Sequence, residues 1–169
     1  MKIILTGSQG TGKSTLAKIL SSDFNLKMID SVTAEFAENT KSLDDFEFFK
    51  KFQTKVVSRY SDLLLNTENY VSSRGFADVF AYSTYKKLDK LADFCKFCQS
   101  YNDAIIFYVP IKFEIESKPL RSADKGFQND IDKLILEFLN ETNTSYYTIE
   151  TLSVDDRINE IKGYLNEYF

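Results

Sequence analysis

Gly7-Ser8-Gln9-Gly10-Thr11-Gly12-Lys13-Ser14 is a complete G-x-x-x-x-G-K-S loop, and it follows directly on the apolar run Lys2-Ile3-Ile4-Leu5-Thr6. Few eight-residue stretches constrain a fold so tightly. A strand has to deliver the loop and a helix has to leave it, so that backbone N–H groups and the positive helix end face one phosphate. Leu16, Ala17, Ile19, Leu20 and Phe24 continue the chain with helical spacing. In such a setting Lys13 reaches the β- and γ-phosphates of a nucleotide, and the Ser14 hydroxyl meets Mg²⁺. Gly7, Gly10 and Gly12 allow a backbone approach that a side chain would block. With Ser8, Gln9, Thr11 and Thr15 they make the candidate nucleotide-binding set, and ATP with Mg²⁺ are the implied cofactors.

The 169 residues suit one compact domain with a real core, which we take as residues 1–169. A net charge of −4 argues against a general polyanion binder, because non-specific nucleic-acid affinity rests on many Lys and Arg contacts. There is no histidine, so acid–base work falls to Asp, Glu or Lys. Cys95 and Cys98 form a C-x-x-C, but two thiols without histidine cannot complete a four-ligand zinc site in one chain. Leu88, Leu91, Ala92 and Cys95 recur at helical spacing, which makes Cys95 a packing residue. With no signal peptide and no membrane-length apolar run, the expected setting is cytosolic and reducing.

Strands are expected near 2–6, 26–30, 69–73, 104–109 and 145–149, with helical patterns between them. Phe49, Phe52, Val56, Tyr60 and Leu63 form one long face. Phe76, Val79 and Phe80 begin another. Phe127, Ile131, Leu134, Ile135 and Phe138 form a third, and Val154, Ile158, Ile161 and Leu165 a fourth. Alternation of this kind predicts an α/β fold: a five-stranded, mostly parallel sheet inside a three-layer α/β/α sandwich. Ligands of such sheets sit outside the carboxyl ends of the strands, here residues 7–15, 30–35, 73–78 and 110–125. Residues 39–45 are polar and expected to be mobile. Residues 110–126 contain Pro110, Pro119, Arg121 and Gly126 and suit either a lid over phosphates or a plain surface connection.

The guanine-reading Asn-Lys-x-Asp motif and a transporter-type signature are missing, and the chain is short for a helicase or a ring-forming ATPase. Two further blocks carry a family likeness. One is Val71-Ser72-Ser73-Arg74-Gly75-Phe76-Ala77-Asp78-Val79-Phe80-Ala81-Tyr82. The other is Arg121-Ser122-Ala123-Asp124-Lys125-Gly126-Phe127-Gln128-Asn129-Asp130-Ile131-Asp132. With the loop, they make residues 1–140 resemble the small P-loop nucleoside and nucleotide kinases, near the phage and bacterial group that includes nicotinamide riboside kinase domains. The resemblance implies ATP-dependent transfer to a nucleoside or nucleoside monophosphate. It implies that Arg121 acts from a lid on the γ-phosphate. Arg74 would hold an acceptor phosphate or orient the acceptor hydroxyl, and Asp30 would act as base at the end of strand two.

The residues leave alternatives beside each role. Arg74 suits an ion pair with Asp78, four positions on. Asp30 suits a helix N-cap ahead of Ser31 and Val32, and Glu35 is a second carboxylate for the base. Phe36, Phe46, Phe48, Phe49 and Phe52 suit the core or a stack on a base. Ser73 stands where the family usually has Asp, and Ala34 where an Arg is common. These departures leave open a specialised acceptor, or a nucleotide-binding regulator without transfer activity. Four arginines are few for a monophosphate acceptor and favour an uncharged one, although 17 lysines are available. A hydroxyl in nucleic acid or a modified base is another acceptor, disfavoured by net charge. No membrane partner is expected, and the oligomeric state stays open, a homodimer included.

Overall fold

The strand that delivers the loop, β1 (Lys2–Thr6), lies at the centre of a five-stranded sheet in the computed structural model. The structure describes residues 1–36, 46–88, 103–112 and 124–168, leaving aside the side chains of Ala34 and Glu35. With β2 (Lys27–Ile29), β3 (Tyr70–Ser72), β4 (Ile105–Tyr108) and β5 (Tyr147–Thr148) the sheet order is β2-β3-β1-β4-β5. Every pairing is parallel, and Ile3 lies opposite Val71 on one side and Ile105 on the other. All five expected strands are present. Backbone bonds from Ser73 to Ile29, Val109 to Thr6 and Ile149 to Tyr108 extend the pairing one step further at the carboxyl ends. Those ends are thereby held in register where the site is built.

The helices are α1 (Lys13–Asp23), α2 (Thr33–Phe36), α3 (Phe46–Leu65), α4 (Phe76–Tyr85), α5 (Lys125–Glu141) and α6 (Val154–Asn166). Period-two alternation in β1 sends its side chains to two cores. Ile3 and Leu5 join Leu16, Leu20, Ile158 and Ile161, and so bind α1 and α6 to one face. Ile4 joins Val56, Phe80, Ile131 and Phe138, and so binds α3, α4 and α5 to the other. This is the expected three-layer arrangement. Gly75 at the start of α4 permits the closest approach of that layer, since a Cβ there would stand 2.7 Å from the Ile4 side chain. The helix starts are chemically fixed. Asp124 accepts from the Gly126 and Phe127 amides ahead of α5, and Ser153 accepts from Asp156 N–H ahead of α6.

Some expectations fall on residues 37–45, 89–102 and 113–123, outside the described residues: the mobile stretch 39–45, the Cys95–Cys98 pair, most of the lid at 110–126 and Arg121 itself. Among the described residues, no helix is long and apolar enough to cross a membrane.

Candidate active site at the carboxyl ends of the strands

The loop turns where β1 stops. Gly7 has φ +146, and a Cβ on it would lie 2.3 Å from the Val109 carbonyl oxygen, so the loop passes where only glycine fits. Gly10 and Gly12 have φ values of 80 and 92, and Gly12 leads into the first turn of α1. Lys13 is buried, and its Nζ donates to the Gly7 and Ser8 carbonyls at 2.6 Å each and to Thr11 Oγ1 at 3.2 Å. The lysine thus lies across its own loop, with its charge held at the concave side. Ser14 follows it in the first turn of α1.

Two helices brace the loop from outside, and sequence reading assigned none of these residues a role. On α5, Gln128 donates to the Gln9 carbonyl at 2.7 Å and its own carbonyl accepts from Ser8 Oγ at 2.8 Å. One turn on, Asp132 accepts from Tyr108 OH at 2.6 Å and from the Ser8 amide at 3.4 Å. Burial pushes the Asp132 carboxyl above its ordinary value, while Tyr108, the Ser8 amide and the nearby Lys13 pull it back. On α6, Arg157 is 2% exposed; its Nη1 donates to the Thr11 carbonyl at 2.8 Å and its Nε to the Thr151 carbonyl at 3.0 Å. Burial pulls this guanidinium below its usual value, and Glu160 opposes that pull. The Phe-Gln-x-x-Ile-Asp pattern at 127–132 pointed at α5, but Arg157 gave no signal, since its partner is 146 positions away.

Arg157→Ala is therefore expected to destabilise the fold, by about 1–3 kcal/mol for each buried carbonyl left unmatched. It should also weaken ATP affinity, because the loop loses its hold at Thr11. Arg157→Lys should recover only part of both, since an ammonium cannot reproduce the fork. Urea unfolding and calorimetric ATP titration measure the two effects, and an alanine variant with unchanged ATP affinity would reduce Arg157 to a packing residue.

The ends of β2 and β3 add the acidic and basic groups. Asp30 Oδ1 accepts from the Ser31 amide at 2.7 Å, Ser73 Oγ at 3.0 Å and Ser14 Oγ at 3.1 Å. One carboxylate oxygen thus joins the helix start after the loop, the end of β2 and the residue after β3. The bond to Ser31 runs to the next amide, and α2 begins only at Thr33, so Asp30 is not the helix N-cap that the sequence allowed; its bonds to Ser14 and Ser73 bring it to the loop. Ser73, standing where the family has Asp, lies against a carboxylate supplied from the next strand. Arg74 Nη1 lies 3.8 Å from Asp78 Oδ1, and the guanidinium stands 5.5 Å from the Tyr82 ring centroid. The ion pair read from the i,i+4 spacing is present. Burial pulls Arg74 down, but Tyr82, Asp78 and Tyr60 more than compensate, and it stays cationic. Burial pushes the Tyr60 phenol far above its ordinary range, so it stays neutral, and its oxygen accepts from Val32 N–H at 3.4 Å.

These groups share a cavity of about 670 Å³, lined by loop residues 9–15 on one side and by Phe52, Tyr60, Arg74 and Tyr82 among others on the other. Of the candidate catalytic residues, Lys13 and Arg74 line it directly, and Asp30 is bonded to Ser14 and Ser73, which also do. Gly7 and Ser8 shape the loop beneath. A larger cavity of about 830 Å³, near Met1, Asp103 and Tyr146, contains no described residue of the loop.

Residues 2–157 match the family model described as AAA domain. A shikimate kinase of Caldicellulosiruptor bescii is 35% identical over 79 residues, an alignment that covers 43% of this chain and 44% of that protein. The chain therefore spans less than half the length of this curated relative. A deoxyadenosine kinase from M. mycoides, solved with dCMP and dCDP, superposes at a TM-score of 0.71 with 18% identity, covering 100% of both chains. The NadR protein in complex with NR superposes at a TM-score of 0.75 with 15% identity, covering 96% of this chain and 51% of that one. At such identities the likeness is one of fold, and the fold is that of the small P-loop kinases. With its loop, sheet order and a family match over nearly its whole length, the chain belongs to the AAA domain family and is built as a small P-loop kinase-like member of it.

Proposed function

We propose that this protein transfers the γ-phosphoryl group of ATP to a nucleoside or nucleoside monophosphate. The observation that carries this reading is the shared cavity: Lys13 and Ser14 of the phosphate loop face the same space as Arg74, Tyr60 and the aromatic wall. Donor and acceptor would meet there without crossing the sheet. The related small-molecule kinases support the class of reaction, and the nucleotides and NR named for the solved structures support the acceptor.

The residues fit the implied cofactors. Three left-handed glycines open the backbone to phosphate oxygens, and Lys13 holds its charge inside the loop. The Ser14 hydroxyl and the Asp30 carboxylate, 3.1 Å apart, offer the hard oxygen donors that Mg²⁺ takes. Bound Mg²⁺ would neutralise charge on the β- and γ-phosphates. In the transfer, the acceptor oxygen bonds to the γ-phosphorus as the bridging bond to ADP breaks. Lys13 would steady the charge of the transferring group, Arg74 would orient the acceptor, and Asp30, bonded to two residues that line the cavity, would receive the acceptor proton. Arg121 follows from the family resemblance as a second positive charge. For Arg121→Ala, the expectation is a large loss of kcat with ATP affinity nearly kept, measured by steady-state assays beside equilibrium titration. Loss of ATP binding with unchanged turnover of bound substrate would make it a binding residue instead.

A second reading, a regulator without transfer activity, rests on Ser73 and Ala34, which stand where the family has Asp and commonly Arg. The carboxylate of Asp30, bonded to Ser73 and Ser14, weakens the first of these grounds. A panel of nucleosides, monophosphates and single-stranded DNA, scored for acceptor-dependent ADP formation, tests the whole reading. No ADP above the acceptor-free rate with any of them would overturn it.

A further inference from the structure

The charges around the loop cavity are few among the described residues. Beyond the loop, the described residues that line it bring two charged side chains, Arg74 and Asp78, and these face each other at 3.8 Å. Asp78 is 1% exposed. Its Oδ2 accepts from Thr6 Oγ1 and from the Gly75 amide, both at 2.9 Å, which locks the carboxylate in place. Its Oδ1 is closed off from solvent and takes no hydrogen bond among the described residues, so Arg74, 3.8 Å away, is the charge that compensates it. The guanidinium is engaged from another direction as well, against the Tyr82 ring. The rest of the described wall beyond the loop is uncharged: Phe49 and Phe52, 6.4 Å apart, Tyr60 and Val79 give it an apolar and aromatic part, and Ser31, Thr33, Gln53 and Ser73 add neutral polar groups.

Resting on the kinase reading above, we propose that Asp78 sets the charge class of the acceptor: by cancelling Arg74 inside the cavity it selects an uncharged, ring-bearing hydroxyl compound, a nucleoside, against monophosphates and carboxylic acids. A phosphate or carboxylate acceptor needs a guanidinium whose donors are at its disposal. Here the arginine would have to turn away from a buried carboxylate and leave it uncompensated, which is the costly way to break a buried pair. Even with Arg74 in place, an incoming anion comes under the field of the buried Asp78 carboxylate behind it. A neutral nucleoside avoids both penalties: its base gains from the aromatic wall, and its hydroxyl needs only orientation. The transferred group, the bond broken in ATP and the destination of the acceptor proton at Asp30 are those given above. What Asp78 changes is which molecule presents the hydroxyl.

The test is acceptor-dependent ADP formation with ATP and Mg²⁺ across the common nucleosides, their 5′-monophosphates and shikimate, in the wild type and in Asp78→Asn. The wild type should use at least one nucleoside with kcat/KM about a hundredfold or more above that for its monophosphate and for shikimate. Asp78→Asn keeps acceptors for Thr6 and Gly75 but removes the charge. It should narrow the nucleoside-to-monophosphate ratio at least tenfold, chiefly through a lower monophosphate KM. A wild type that prefers a monophosphate or shikimate overturns the proposal, and so does a folded Asp78→Asn with an unchanged ratio. If Asp78→Asn does not fold, as read from its circular dichroism melt, Asp78→Ser retains a hydroxyl for the Gly75 amide and decides by the same ratio. Absence of turnover with every acceptor overturns the kinase reading and this inference together, and is distinct from turnover without discrimination.

Discussion

Lys13→Ala is expected to abolish phosphoryl transfer, with at least a roughly thousandfold loss in kcat/KM and weakened ATP binding. The side chain is buried, and its ammonium spans the loop to the Gly7 and Ser8 carbonyls. A phosphate seated in the loop competes for that same charge, and as the γ-phosphoryl group moves, the charge on its oxygens moves with it. A positioned cation in a site shielded from water is worth far more there than in solution, and one oxyanion donor alone accounts for about 10²–10³ in rate. The fold should survive the change. The loop is also held by the Ser8–Gln128, Gln9–Gln128 and Thr11–Arg157 bonds, none of which passes through Lys13. A protein that still folds, less stable by about 1–3 kcal/mol because the Gly7 carbonyl loses its Lys13 donor, with lost turnover is therefore the expected pair of results. Wild-type-like turnover in a purified, folded Lys13→Ala protein would sink the kinase reading. Lys13→Arg should not rescue fully, because a planar fork does not replace a compact point charge in a loop this tight.

Much of the architecture was legible because it depends on local patterns. Ile3 and Leu5 on one face and Ile4 on the other are a period-two statement that the sequence makes directly, and the two cores repeat it. The glycines of the loop are likewise legible, since the motif demands backbone where Val109 leaves no room for a Cβ. Arg74 and Asp78 could be paired from their four-residue spacing. Residues joined only by the finished fold were different. Arg157 reached Thr11, Asp132 reached Ser8, and Ser73 met Asp30 across intervals of 146, 124 and 43 positions. No periodicity encodes such contacts; strand order and helix packing create them. Substituting Ser for Asp at position 73 looked, in sequence alone, like the loss of a carboxylate from the site. In three dimensions a carboxylate lies 3.0 Å away, on the neighbouring strand end.

Asp30→Asn separates chemistry from structure at that carboxylate. The amide oxygen of Asn can still accept from the Ser31 amide, Ser73 and Ser14, the three donors that converge on Oδ1. Thermal stability should therefore stay within about 0.5 kcal/mol of wild type, the range of a change that leaves no buried group unmatched. Activity should not. A general base contributes roughly 10²–10⁴-fold, and an amide neither takes the acceptor proton nor brings a negative charge to Mg²⁺. A fall of at least about a hundredfold in kcat is expected. Titrating Mg²⁺ then divides the two duties of the carboxylate. If the loss is overcome at high Mg²⁺, Asp30 serves the metal beside Ser14; if it persists at saturating Mg²⁺, the proton is what was lost. Retained activity in Asp30→Asn with loss in Glu35→Gln would move the base to Glu35. Retained activity in both would mean that Lys13 and the loop amides drive the transfer without a carboxylate base, as a loose phosphoryl-transfer transition state permits, because it asks little of its nucleophile.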